Sequence, residues 1–128
     1  AVTGYTIDSF GHHGNMPQIL LKSGLQNYLF QRPGQHEKRM ARALFRWEGI
    51  DGSKVLTFRI PTGYATGNLE ALKKSLARIE EFARTEKTDM LLCYGVGNHG
   101  GGPTIEMLNH LSELRIPVLQ HHLLPDNP

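Results

Sequence analysis

The sequence has few of the residues that define several specialised classes of protein. Cys93 is the one cysteine in 128 residues, which excludes a disulfide framework and a cysteine-based zinc cluster. No apolar run approaches the roughly 18 residues that a membrane-spanning helix needs. No signal peptide is recognisable, so we expect a cytoplasmic protein with no membrane partner. The start at Ala1 and the polar ending at 125–128 lead us to expect a piece of a longer protein.

An excess of charge of one sign is also missing. The chain has 14 Lys and Arg residues and 12 Asp and Glu residues, which gives a net charge of +2. This balance does not favour binding to nucleic acid or to an anionic membrane. The basic residues between Arg32 and Arg46 lack the aromatic interleaving that stacking on single strands requires. We therefore expect them to form a solvated face.

The remaining pattern alternates short apolar runs with amphipathic segments. Strands are predicted at 2–7, 28–30, 90–96 and 116–119. Helices are predicted from residue 17, over 68–85 and from residue 103. Residues 44–60 form either a hairpin about Asp51-Gly52 or one strand with a long excursion. The order predicts an α/β protein with a mainly parallel sheet and flanking helices.

The densest group of reactive side chains follows the first predicted strand. Within residues 6–14 lie Asp8, Ser9, His12, His13 and two glycines. Loops at the C-terminal ends of strands are where α/β proteins usually place their chemistry. Asp8 could be a nucleophile, a metal ligand or both. It could equally be a turn residue whose side chain bonds to the local backbone, and its position alone leaves these alternatives open.

A second candidate is the glycine-rich loop within residues 95–104. A strand, a glycine loop and a helix N-terminus together can form a binding site for an anion or a sugar. The loop lacks the Lys-Ser/Thr of a P-loop, and no convincing acidic residue follows about 20 positions on, as a dinucleotide site requires. The alternative is a flexible turn without a ligand.

Polar residues follow other predicted strands. Arg32 and Tyr64 suit a site for hydroxyls or a carboxylate, although a plain surface position is equally ordinary for them. The pairs His12-His13 and His121-His122 could join Asp8 as metal ligands. Because their spacing forms no local metal motif, solvent exposure or a backbone hydrogen bond is the alternative for each histidine.

Several motifs, taken in order, resemble glycoside hydrolase family 38, the α-mannosidases. They cover most of residues 5–108 and comprise Ile7-Asp8-Ser9-Phe10-Gly11-His12, Met16-Pro17-Gln18-Ile19-Leu20, Lys22-Ser23-Gly24, Phe30-x-Arg32, the run Phe45-x-Trp47-Glu48-Gly49-x-Asp51-Gly52-Ser53-x-Val55-Leu56, Pro61-x-x-Tyr64 and 97–104.

The resemblance implies that residues 1–128 are a fragment of one catalytic domain, part of a distorted β/α barrel of the glycoside hydrolase/deacetylase type. It implies zinc-dependent, retaining hydrolysis of α-mannosides in glycans or glycosides. By the same match Asp8 is both nucleophile and zinc ligand, and Arg32 and Tyr64 line the substrate pocket. A retaining glycosidase also needs a second acid roughly 5–5.5 Å from its nucleophile.

The sequence departs from the family pattern in ways that predict an incomplete site. The family's H-x-D zinc motif lies upstream of this region and is not found here. His121 lies in a segment that resembles a later zinc-binding His-His, but the residues after it do not match. Asn98 replaces an acidic residue of many members. We therefore expect the fragment alone to be inactive, and a partial barrel with unpaired strand edges to self-associate as a homo-oligomer.

A second hypothesis belongs to a different class of protein. In it, the chain is a non-catalytic α/β binding module that uses the glycine-rich loop at 97–102 for an anionic or sugar ligand.

Overall fold

A four-stranded sheet is the centre of the structure. The computed structural model describes residues 2–97 and 100–114. In chain order, the elements of these residues are β1 (Thr3–Thr6), α1 (Met16–Lys22), β2 (Asn27–Phe30), β3 (Leu44–Glu48), β4 (Lys54–Arg59), α2 (Leu69–Glu86) and α3 (Ile105–Glu113).

The strands lie in the order β1-β2-β4-β3. β1 pairs with β2 in parallel, β2 pairs with β4 in parallel, and β3 pairs with β4 antiparallel. The prediction of a mainly parallel sheet is thus confirmed. The prediction that this sheet is part of a distorted β/α barrel remains a prediction. Because three strands run the same way, their C-terminal ends meet at one border of the sheet, which we call the C-terminal edge.

The hairpin is the alternative that the structure confirms for residues 44–60. Gly49 N–H donates to the Ser53 carbonyl at 2.8 Å, and Gly52 has φ of +83°, which favours glycine. The Asp51 carboxylate accepts hydrogen bonds from the Ser53 hydroxyl at 2.7 Å and from the Ser53 main-chain N–H at 3.1 Å. These hydrogen bonds lower the pKa of Asp51, and the bond from the hydroxyl has the largest effect.

One face of the sheet is covered by α1. Leu20 of this helix packs with Tyr28, Phe30 and Val55, a buried cluster that we call the sheet core. A Cβ at Gly4 would lie 2.5 Å from a Leu20 methyl carbon, so glycine lets the helix approach β1. The predicted helix start near residue 17 is confirmed.

The opposite face of the sheet is less covered. It carries an apolar groove of about 220 Å³, and the side chains of Tyr5 and Leu56 are 57% and 42% exposed. The predicted self-association would cover such a face, and it remains a prediction.

The second buried cluster lies between α2 and α3. Its members are Leu72, Leu76, Met107 and Leu111, which we call the helix core. The Asn68 side chain caps α2 by accepting from Ala71 N–H at 2.9 Å. No helix among the described residues is long and apolar enough to cross a membrane.

The strand predicted at 90–96 is wrong. The Gly95 carbonyl accepts from Thr66 N–H at 2.8 Å, and Gly95 N–H donates to the Thr66 hydroxyl at 3.0 Å. These bonds occupy both polar backbone groups of Gly95, while Leu92 and Tyr94 pack against the helix core. The strand predicted at 116–119 lies outside the described residues.

Candidate functional site

The C-terminal edge brings the predicted site residues to the same border of the sheet. Asp8 is the second residue after β1, Arg32 is the second after β2, and Tyr64 follows β4. Arg32 N–H donates to the Ile7 carbonyl at 3.4 Å, so the chain segments leaving β1 and β2 stay side by side. The parallel order of the strands therefore places Asp8 next to Arg32.

Asp8 and Arg32 form an ion pair. Arg32 Nε–H donates to Asp8 Oδ1 at 2.5 Å, and the two side chains are 48% (Asp8) and 31% (Arg32) exposed. This hydrogen bond is the main cause that raises the pKa of Arg32. The Asp8 carboxylate thus contacts a guanidinium and remains accessible, and its role as nucleophile or metal ligand remains a prediction.

Glu37 is a second carboxylate beside Arg32. Its Oε1 lies 3.5 Å from Arg32 Nη1, and its Oε2 accepts from Gly34 N–H at 2.6 Å. Glu37 is therefore suited to orienting Arg32.

Phe10 is a site residue that sequence reasoning did not single out. Its side chain is 83% exposed, and the Arg32 guanidinium carbon lies 4.9 Å from its ring centroid. A cation over an aromatic face is attracted by the ring. A small cavity of about 170 Å³ lies between Phe10 and Arg32, with Ser9, Pro33 and Glu37 also in its lining. The available signal was an aromatic residue two positions after Asp8 and directly before Gly11.

Tyr64 is half-exposed on the same edge. Its side chain is 41% exposed, and it makes the smallest of the electrostatic contributions that raise the pKa of Arg32. Its contact with a substrate remains a prediction.

The two adjacent histidines have different environments. His12 Nε2 lies 2.6 Å from the Arg32 carbonyl oxygen, and its Nδ1 lies 2.9 Å from the Tyr28 hydroxyl. His13 is exposed, and its Nδ1 accepts from Asn15 N–H at 3.1 Å. These contacts match the alternative given for each histidine, which was solvent exposure or a backbone hydrogen bond.

The described residues alone do not fit a zinc site. Within 2–97 and 100–114, no group of three His, Cys, Asp or Glu side chains could hold a metal ion. Asp8 offers one oxygen ligand, and its Oδ1 bonds to Arg32. The candidate ligand His121 lies outside the described residues.

The glycine-rich loop is described only in part, since Asn98 and His99 lie outside the described residues. Val96 N–H donates to the Gly102 carbonyl at 2.9 Å and closes the loop. A Cβ at Gly101 would lie 2.0 Å from the Val96 carbonyl oxygen, so this position requires glycine. The close approach gives one structural reason for the glycines, and the predicted anion or sugar site remains a prediction.

Comparison with known proteins identifies the family. The profile of the glycosyl hydrolases family 38 N-terminal domain matches residues 1–123. The chain belongs to glycosyl hydrolase family 38. The resemblance seen in the sequence motifs is therefore confirmed.

Family 38 relatives include Alpha-mannosidase G of Dictyostelium discoideum, 32% identical over 111 residues, and an α-mannosidase of Saccharomyces cerevisiae, 33% identical over 114 residues. Each match covers 84% of this chain and 10% of the relative. The chain thus spans about a tenth of the length of these curated relatives. A solved α-mannosidase from Enterococcus faecalis shares the fold, with a TM-score of 0.63 and 24% identity over 91% of this chain and 14% of that one.

Proposed function

We propose that this chain is the part of a family 38 α-mannosidase catalytic domain that carries the nucleophile, Asp8. The observation that carries the proposal is the accessible Asp8 carboxylate, paired with Arg32 at the C-terminal edge. The substrate class follows from the relatives, which are named α-mannosidases. We also propose that the complete domain closes into a distorted β/α barrel and acts in the cytoplasm.

In a retaining reaction the carboxylate attacks the anomeric carbon while a second acid protonates the leaving oxygen. Water then hydrolyses the glycosyl-enzyme intermediate and releases mannose. The hydrogen bond from Arg32 occupies Asp8 Oδ1, so Oδ2 is the oxygen that attacks. Arg32 places a positive charge beside the attacking carboxylate.

The neighbouring side chains suit the binding of a sugar. The exposed face of Phe10 can pack against the apolar C–H face of a mannose ring. Arg32 and Tyr64 can donate hydrogen bonds to its hydroxyl groups. Glu37 contacts the guanidinium of Arg32 through Nη1, whereas Asp8 contacts it through Nε.

Zinc is the proposed cofactor of the complete domain, with Asp8 as one ligand. When bound, the metal would act as a Lewis acid on sugar hydroxyls. Its remaining ligands would come from residues outside those described. We propose that the second acid of the reaction also comes from residues outside those described.

The proposal is tested by the Asp8→Asn variant of the full-length enzyme. We expect turnover of an α-mannoside to fall by roughly a thousandfold or more, because the amide cannot form the covalent intermediate. Asp51→Asn is the matched control, since Asp51 lies in the β3–β4 turn, and it should retain turnover. Mass spectrometry with a slow fluorinated mannoside should find the sugar on the Asp8 peptide. Normal turnover by Asp8→Asn would refute the assignment.

A further inference from the structure

The two ring nitrogens of His12 have partners of different kinds. The Arg32 carbonyl oxygen, 2.6 Å from Nε2, can only accept a hydrogen bond. Nε2 must therefore carry a proton. In the neutral ring Nδ1 is then an acceptor, and the Tyr28 hydroxyl, 2.9 Å away, donates to it. The contacts thus fix one tautomer of His12.

The hydrogen bonds continue from His12 into the sheet. The Tyr28 hydroxyl lies 2.5 Å from Thr6 Oγ1. Since the Tyr28 proton is used toward His12, Thr6 is the donor in this bond. Burial raises the pKa of Tyr28, and the hydrogen bond with Thr6 lowers it in part. This series of hydrogen bonds starts at Thr6, two residues before Asp8, and passes through Tyr28 and His12. It ends at the main-chain carbonyl of Arg32.

Packing also fixes the ring of His12. The ring centroid of His12 lies 4.8 Å from that of Phe30, 5.7 Å from that of Tyr28 and 5.9 Å from that of Trp47. Aromatic rings at such distances attract one another in tilted and edge-on arrangements. The imidazole is therefore held both by its hydrogen bonds and by the sheet core.

We propose that His12 is a positioning residue that holds the main chain of Arg32, so that the Arg32 guanidinium meets Asp8. Both main-chain polar groups of Arg32 are then held, the N–H by the Ile7 carbonyl and the carbonyl by His12. The proposal that His12 positions Arg32 depends only on these contacts. The proposed effect of His12 on catalysis rests on the proposed function of Asp8.

Two substitutions separate the bonds of His12. In His12→Gln the side-chain amide nitrogen reaches the place of Nε2 and keeps a donor for the Arg32 carbonyl. In His12→Asn the shorter amide reaches the place of Nδ1 and keeps an acceptor for Tyr28, but the bond to Arg32 is lost. His13→Gln and His13→Asn are matched controls at the exposed neighbouring histidine.

The first readout is the Arg32 Nε–H signal in ¹⁵N NMR spectra of the 128-residue chain. Wild type, His12→Gln and both His13 variants should protect this proton from exchange with water, whereas His12→Asn should lose the protection. Thermal unfolding should be similar for the two His12 variants, since each loses one hydrogen bond. A purely structural role would predict equal effects on Arg32 in both His12 variants, or none, and either result would overturn the proposal.

The second readout is turnover by the full-length enzyme. His12→Asn should lower kcat by about a hundredfold, because Arg32 no longer orients the nucleophile, and should raise KM to a smaller extent, because Arg32 also faces the sugar. His12→Gln should restore most of kcat. If the wild-type enzyme cleaves no α-mannoside while the Arg32 signal follows the expected pattern, the proposed function fails and the positioning role stands. If kcat is equal in the two His12 variants, the positioning role in catalysis is wrong.

Discussion

The sheet core and the helix core differ in chemistry and in what they hold in place. Three of the four residues of the helix core are leucine and the fourth is Met107, so this cluster stabilises mainly by apolar packing, with one weak contact from the Thr66 hydroxyl to Met107 Sδ at 3.9 Å. The sheet core includes Tyr28, whose hydroxyl is bonded to His12 and Thr6. A satisfied polar group inside a core favours one arrangement of its neighbours. The sheet core thus contacts the candidate site through Tyr28 and His12, and we expect the helix core to affect the site only through the overall stability of the chain.

The largest expected effect on the free energy of unfolding comes from replacing one buried leucine of each core with alanine. Leu20 is 6% exposed and Leu72 is 0% exposed. We expect Leu20→Ala and Leu72→Ala each to lower the free energy of unfolding by about 2–5 kcal/mol, because each leaves a cavity. Chemical denaturation of the 128-residue chain measures both values.

The same two variants test whether the cores act separately. Leu20 packs against Tyr28 in the sheet core, so its truncation should shift the NMR signals of His12 and Arg32. Leu72→Ala should leave these signals in place while the chain is folded. A shift of the Arg32 signal in Leu72→Ala would show that the helix core also positions the site.

A smaller effect is expected at Glu86, which connects the two regions. Its carboxylate oxygens accept from the buried Ala43 N–H at 2.9 and 3.1 Å. It also raises the pKa of the buried Arg59, although burial lowers that pKa more strongly. Glu86→Ala leaves the Ala43 N–H unpaired and should cost about 1–3 kcal/mol in the free energy of unfolding.

Glu86→Gln separates the two roles of Glu86, since it keeps a carbonyl acceptor for Ala43 and removes the charge near Arg59. It should lose less stability than Glu86→Ala in the same denaturation experiment. Glu80→Ala is the control on the exposed side of α2. Equal losses for Glu86→Gln and Glu86→Ala would show that the charge, and not the hydrogen bond, connects the regions.

Elements with strong local signals could be predicted from the sequence. The Asp51-Gly52 turn indicated the hairpin, and apolar residues at spacings of three and four indicated α2. Because parallel strands end at one edge, the polar residues after them could be expected near one another, and Asp8 and Arg32 are in fact paired. This part of the site follows from strand order alone.

Features that depend on tertiary partners could not be predicted. An apolar run at 90–96 does not reveal that the polar groups of Gly95 bond to Thr66. Likewise, His12 and His13 are adjacent residues of the same type, and their sequence positions do not show which one is buried. Only the folded sheet shows that one ring packs against Phe30 and the other is exposed. Burial, and not residue type, distinguishes the two histidines.

The smallest expected effect concerns the dependence of the hairpin on pH. The hydrogen bonds from Ser53 lower the pKa of Asp51 below its ordinary value of 3.8. A carboxyl group with a lowered pKa in the folded state adds stability above its unfolded pKa and loses it as pH falls through the folded pKa. The stability from Asp51 is therefore complete at neutral pH and decreases below pH 3.8.

Asp51→Asn tests this pH dependence, because the amide does not titrate. We expect the variant to be less stable than wild type at neutral pH and the two stability curves to converge as acid protonates Asp51. Denaturation across the acid range measures the difference between the curves, in which titration of the other carboxylates cancels. A constant difference down to the lowest pH would mean that the charge of Asp51 does not stabilise the turn. The helix core, made of residues that do not titrate, contributes no such dependence of its own.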